Sequence, residues 1–205
     1  MGLNVAKVNF EQTLDRDVLL VTRFDRELSA NHQTRLFMLS ALSLMGLDEM
    51  EARYASYSLL ADIIRKSFRD PKQNLKELFS RLIFNILIGN TDDHARNHAA
   101  FWNGKDLTLT PAYDLCPQLR AGQEATQAMA INGSEGNFST VVNALSIADK
   151  FLLKDAEARD IAIHQIETVQ AMWPSLCKEL DLGQLEQKRF LGNVILSEYA
   201  LGGLK

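Results

Sequence analysis

The stretch Asn90-Thr91-Asp92-Asp93-His94-Ala95-Arg96-Asn97-His98 holds the densest set of chemically able side chains in the sequence. Carboxylates, imidazoles and amides this close together could serve three ends. They could cap backbone groups in a solvated loop, as Asx side chains do. They could bind a divalent metal for phosphoester hydrolysis, since His and Asp are good ligands; Asp92, Asp93, His94 and Asp114 would then form the set. Or they could serve phosphoryl transfer. There an Asp takes the proton of the attacking hydroxyl, and an Asn five residues later holds the Mg²⁺ that neutralises phosphate charge. Asp92 and Asn97 have that spacing, whereas the rival base Asp93 is one residue short of it. A second metal-holding Asp must come from a later segment, and Asp114 is the next carboxylate after a hairpin pattern.

Such a loop needs a rigid element in front of it. Asp70-Pro71 marks a helix start, because proline suits the first helical turn, where no N–H is needed. Leu75, Leu78, Phe79, Leu82, Ile83, Ile86 and Leu87 then make an apolar face that Phe84 and Ile88 widen. Gly89 is the stop. The spacing thus predicts a helix over 71–88, buried on most sides and ending at the polar run. After the run, Ala99–Trp102 and Leu107–Thr110 flank Asn103-Gly104 and read as a hairpin. Pro111-Ala112-Tyr113-Asp114 ends it.

Elsewhere the pattern is mixed. Val18–Val21 reads as a buried strand. Leu36, Leu39, Leu42 and Met45 repeat at helical spacing up to Gly46, and a further helix is expected over about 49–68. Residues 121–139 read as a loop. Helices are expected over about 139–153, 155–173 and 184–200, with Pro174 stopping the second. The expected fold is one domain, mainly α with a small β component.

The 205 residues carry 22 Lys and Arg against 26 Asp and Glu, a net charge of −4. That balance, with no basic stripe, argues against a general nucleic-acid binder. No apolar run reaches the length of a membrane span. The two cysteines, Cys116 and Cys177, fit a reducing cytoplasm and cannot form a zinc site together.

The runs Phe84–His98 and Thr110–Leu115 are similar to motifs of the HipA family of bacterial serine/threonine kinases, the toxins of type II toxin–antitoxin pairs. Leu19–Arg26, Ser56–Asp62 and Gly122–Ala125 also fit that family. The resemblance implies a kinase-like C-terminal lobe and ATP/Mg²⁺-dependent phosphoryl transfer to a protein Ser or Thr. It implies Asp92 as the catalytic base and Asn97 and Asp114 as Mg²⁺ ligands. His94 would support the loop, and Val21, Thr22 and Phe24 would hold the adenine at a hinge strand. The family usually carries Glu where this chain has Thr22, so the contact implied there is through the backbone. The implied partner is a helix-turn-helix antitoxin, through which any DNA contact would be made.

A kinase also needs a glycine-rich loop over the phosphates and a lysine on them. Only about 16 residues precede the hinge strand, and Gly2 is the sole glycine before Gly46. Residues 1–25 are therefore expected to be a hinge-strand remnant of an N-terminal lobe, and 26–205 a helical C-terminal lobe. A separate chain could supply the missing lobe. The alternative is a catalytically dead binding or scaffold remnant. Lys7 is read as an exposed lysine rather than the phosphate lysine. Arg23, Asp25 and Arg26 are read as structural ion pairs, Trp102 and Trp173 as packing residues, and His164 as a surface histidine. Gly133 and Gly136 are read as loop glycines.

Overall fold

The computed structural model describes residues 2–14, 16–29, 32–132 and 136–204, and nothing of the side chains of Leu28 and Ser29. Gly133 lies outside them. The centre of the fold is the helix over Pro71–Ile88. Leu75, Leu78, Phe79, Leu82, Ile83, Ile86 and Leu87 on it are fully buried. Burial of each such side chain stabilises the fold by roughly 1.5–3 kcal/mol, which makes this helix the rigid platform.

In chain order the elements are β1 (Val8–Thr13), β2 (Arg16–Val21), β3 (Arg26–Ser29), β4 (His32–Arg35), β5 (Phe37–Ser40), α1 (Ala41–Leu44), α2 (Tyr57–Ser67) and α3 (Pro71–Ile88). Then come β6 (Ala99–Trp102), β7 (Leu107–Leu109), α4 (Val141–Leu145), α5 (Asp155–Glu179), α6 (Gln184–Phe190) and α7 (Glu198–Leu201). Short 3₁₀ segments cover Glu49–Tyr54 and Ala148–Phe151. Helices α2, α4, α5 and α7 pack around α3, and Phe79 of α3 meets Phe151 at 5.3 Å between ring centroids. The strands make two antiparallel ribbons, β1–β2 and β3–β4, and one sheet in the order β5–β6–β7.

The hairpin of β6 and β7 forms as the Asn-Gly signal predicts, with Asn103 Oδ1 accepting from the Lys105 and Asp106 amides. Several expectations are corrected. Val18–Val21 is in a strand, but Leu19, Leu20 and Val21 are exposed, because among the described residues β2 pairs with β1 alone in a two-stranded ribbon. The 36–45 stretch is helical only from Ala41. Before it, Phe37–Ser40 pairs with Ala99–Trp102, so sheet pairing overrides the helical spacing. The helix expected at 49–68 splits at Ala55-Ser56, where Asp48 and Ser56 cap two separate pieces. Pro174 lies inside α5 and does not end it; Cys177, one turn further, is buried and keeps the last turns docked. The stretches 139–153 and 184–200 are each broken into short turns.

The stop of α3 is set by glycine. Gly89 has φ +69°, and a Cβ there would lie 2.7 Å from the Val194 carbonyl oxygen and from Val194 Cγ1. Both conformation and space demand glycine. Gly89→Ala should therefore lower the unfolding free energy by at least about 2 kcal/mol, since a left-handed residue alone costs roughly 1–2 kcal/mol. The denaturant midpoint measures this, and an unchanged midpoint would contradict it.

Candidate functional site

Residues 90–98 leave the αL stop of α3 as an irregular loop and end in β6. Three backbone-level bonds shape it: the His94 amide donates to the Asp92 carbonyl (3.0 Å), the Asn97 amide to the His94 carbonyl (2.8 Å), and Asn97 Nδ2 to the Asp92 carbonyl (3.1 Å). Asp92 and Asn97 are thereby locked in one turn. With Nδ2 engaged, Asn97 Oδ1 is the atom left to face a cation.

The two adjacent aspartates have opposite surroundings. Asp92 is exposed, and its carboxylate takes no hydrogen bond or ion pair from the described residues. Asp93 is 1% exposed. The Tyr57 hydroxyl donates to its Oδ2, and His98 Nε2 lies 2.9 Å from its Oδ1. Tyr57 and His98 also touch edge to face. Burial works against the Asp93 carboxylate, but the His98 charge and bonds from His98 and Tyr57 outweigh it and hold its pKa below the usual carboxylate range. Burial, then the Asp93 charge, pushes the Tyr57 phenol well above its ordinary value. Asp93 is thus a structural anchor between α2 and the loop. Both of its carboxylate oxygens are occupied in a closed interior.

Asp114 is brought to this loop by two cross-links. Asn90 Nδ2 donates to the Asp114 carbonyl (3.2 Å), and the Tyr113 hydroxyl donates to the Arg96 carbonyl (2.6 Å). The Asp114 side chain is exposed and takes no bond from the described residues. Upstream, Arg81 fixes the strand that delivers it. This fully buried guanidinium donates from Nε to Glu77 Oε1 (2.9 Å) and from Nη2 to the Thr110 carbonyl (2.7 Å). Burial, then the Asp114 charge, raises the Tyr113 pKa.

Phe24 packs on Tyr113 (5.5 Å) and on Phe101 (6.2 Å), which places the turn after β2 against the Asp114 segment. Val21 and Thr22 lie exposed at the end of β2, and the Thr22 amide is already used by the Lys7 carbonyl (2.9 Å). Arg23 and Arg26 both pair with Asp25, as structural ion pairs would. His94 shapes the loop through its backbone, while its ring Nδ1 is buried without a partner. Among the described residues no three His, Cys, Asp or Glu side chains gather into a metal-holding group. An Asn97 amide oxygen with an Asp114 carboxylate is nonetheless the hard-oxygen donor pair that suits Mg²⁺.

A cavity of about 710 Å³ lies elsewhere, between the N-terminal halves of α3 and α5. It is lined by polar residues including Glu77, Arg81, Glu157, Asp160 and His164, and by none of residues 90–98 or 111–115. It is not part of this site. Sequence reasoning assigned no role to Tyr57, Arg81, Asn85 or Asn90. A polar residue inside the apolar run of α3 was the available signal for Arg81 and Asn85, and Asn90 opens the polar run itself, but none of these signals names a partner.

The family model of the HipA-like C-terminal domain matches residues 1–173. The chain belongs to that family. As a HipA-like domain it is 27% identical over 131 residues to the serine/threonine-protein kinase toxin HipA of Shewanella oneidensis, covering 56% of this chain and 30% of that protein. It is 27% identical over 121 residues to a putative kinase of Sinorhizobium fredii, covering 56% and 29%. The fold superposes on Shewanella oneidensis HipA, solved with HipB and operator DNA, with TM-score 0.75 at 19% identity, covering 94% of this chain and 51% of that one. It also matches the Helicobacter pylori proinflammatory kinase CtkA, with TM-score 0.65 at 15% identity, covering 97% and 74%. This HipA-like domain therefore spans under a third of the length of its curated relatives. No helix among the described residues is long and apolar enough to cross a membrane.

Proposed function

We propose that this HipA-like domain is the catalytic half of an ATP- and Mg²⁺-dependent kinase acting on a protein Ser or Thr. The observation that carries this is the contrast at positions 92 and 93: one aspartate is free and exposed, and its neighbour is locked inside. Asp92 accepts the hydroxyl proton of the substrate. Asn97 and Asp114 present oxygen donors to Mg²⁺, which when bound neutralises charge on the transferring phosphoryl group. Val21, Thr22 and Phe24 flank the adenine, with Thr22 contributing no free amide. The metal-dependent phosphohydrolase reading is less well supported, because Asp93 is committed to Tyr57 and His98.

The phosphate clamp comes from outside these residues. The β1–β2 register puts Val8 opposite Val21 and Phe10 opposite Leu19, so all four share one face. They are 46–63% exposed. A lone two-stranded ribbon is marginal in water, and an open apolar face of this kind calls for a cover. An N-terminal kinase lobe, in the same or a separate chain, supplies it. A helix-turn-helix antitoxin is a further partner, by analogy with the HipA–HipB complex, and carries any DNA contact, since this chain has a net charge of −4.

Two measurements test the reading. By titration calorimetry these 205 residues alone should bind Mg²⁺-ATP more weakly than the micromolar range; micromolar affinity would contradict the external clamp. With radiolabelled ATP and an N-terminal lobe added, label should appear on protein. Free phosphate instead would support the hydrolase, and neither product would support a binding or scaffold remnant.

A further inference from the structure

We propose that Asn90 is a positioning residue that sets the metal-side aspartate against the catalytic loop. The inference rests on the kinase reading of Asp92, Asn97 and Asp114, and it names a residue to which that reading gives no part. Asn90 is 1% exposed. Its side-chain amide spends both hydrogens: one on Asn85 Oδ1 at 3.0 Å and one on the Asp114 carbonyl at 3.2 Å. Its backbone amide donates to the Asn85 carbonyl at 2.9 Å, which anchors Asn90 to the last turn of α3. The residue is thus held at three points: its backbone and side chain on Asn85 of the rigid platform, and its side chain on Asp114.

What it holds needs holding. Asp114 has φ +58°, the left-handed region that residues with a Cβ adopt at a cost. Non-glycine residues in such conformations persist where their surroundings over-determine them, and they cluster at functional sites. The Asp114 carbonyl meets Asn90. Beyond it, past Pro117, the Gln118 amide donates to the Gly89 carbonyl at 3.1 Å. The segment 114–118 is therefore clamped to the glycine that stops α3 and to the residue after it. The loop that bears Asp92 leaves α3 at this same stop, so the metal-side segment and the base-bearing loop are both referred to one end of α3. Transfer depends on such mutual placement, because small errors in position cost large factors in rate.

The test uses Asn90→Ala and the isosteric Asn90→Asp in the full chain. The first removes both donors without adding charge. The second keeps the shape but sets a carboxylate against two carbonyl oxygens. Hydrogen exchange at the Gln118 amide should quicken at least about tenfold in either variant, while amides in the core of α3 (residues 78–87) keep their protection. Mn²⁺ affinity, read by electron paramagnetic resonance, should fall by about tenfold, as losing an outer contact to a ligand-bearing group does. Unchanged exchange at Gln118, or equal quickening through α3, would overturn the proposal. If the unaltered chain binds no Mn²⁺, the kinase reading fails on its own account, and the exchange result still decides the role of Asn90.

Discussion

Asp92→Ala should lower phosphoryl transfer to protein by about 10²–10⁴-fold, the range expected for removal of a general base. Thermal stability should change little, because the carboxylate is exposed and has no partner among the described residues. Surface changes away from a network usually fall within about ±0.5 kcal/mol. The measurement is the initial rate of protein labelling from radiolabelled ATP, with the N-terminal lobe present, alongside a melting curve. Activity that survives the change would remove Asp92 from the mechanism. A large loss of stability would show that its side chain has a structural partner after all.

Asp93→Ala should do the reverse. The change leaves the Tyr57 hydroxyl and the His98 ring in the interior without their acceptor. Unsatisfied buried polar groups cost about 1–3 kcal/mol each, and two are left here. We expect about 3–5 kcal/mol of lost stability, read by chemical denaturation. In a domain of this size that corresponds to a melting point lower by roughly 6–20 °C. Asp93→Asn should cost less, because it keeps the shape and one acceptor oxygen. If Asp93→Ala is as stable as the parent but inactive, the two aspartates have been assigned in the wrong order.

Each of these predictions depends on a different level of information. The spacing between Asp92 and Asn97 and the later arrival of Asp114 are sequence facts, and they already ranked the two aspartates. The sequence could not say how the surroundings of the two differ. Tyr57 is 36 residues from Asp93, and its hydroxyl meets Asp93 only because α2 packs on α3. Arg81 stands out in the apolar pattern of α3, but its partner, a carbonyl 29 residues away at Thr110, is set only by the fold. The errors in the N-terminal third share a cause. Leu36, Leu39, Leu42 and Met45 keep helical spacing, yet the strand partner supplied by Ala99–Trp102 wins over local preference. Val18–Val21 has a strand composition, and only the tertiary arrangement shows that its apolar face is open.

What the sequence determined by itself was local and covalent: Pro71 starting α3, Gly89 stopping it, the Asn103-Gly104 turn, and the order of loop, hairpin and Asp114. These rest on allowed φ angles, missing N–H groups and residue counts, none of which needs a distant neighbour. What only the tertiary structure decided was which polar groups are satisfied in the interior and which are left free. That choice depends on hydrogen bonds between segments far apart in the chain. It makes Asp93 an anchor, leaves the Asp92 and Asp114 carboxylates without a partner among the described residues, and ties the Asp114 backbone to Asn90.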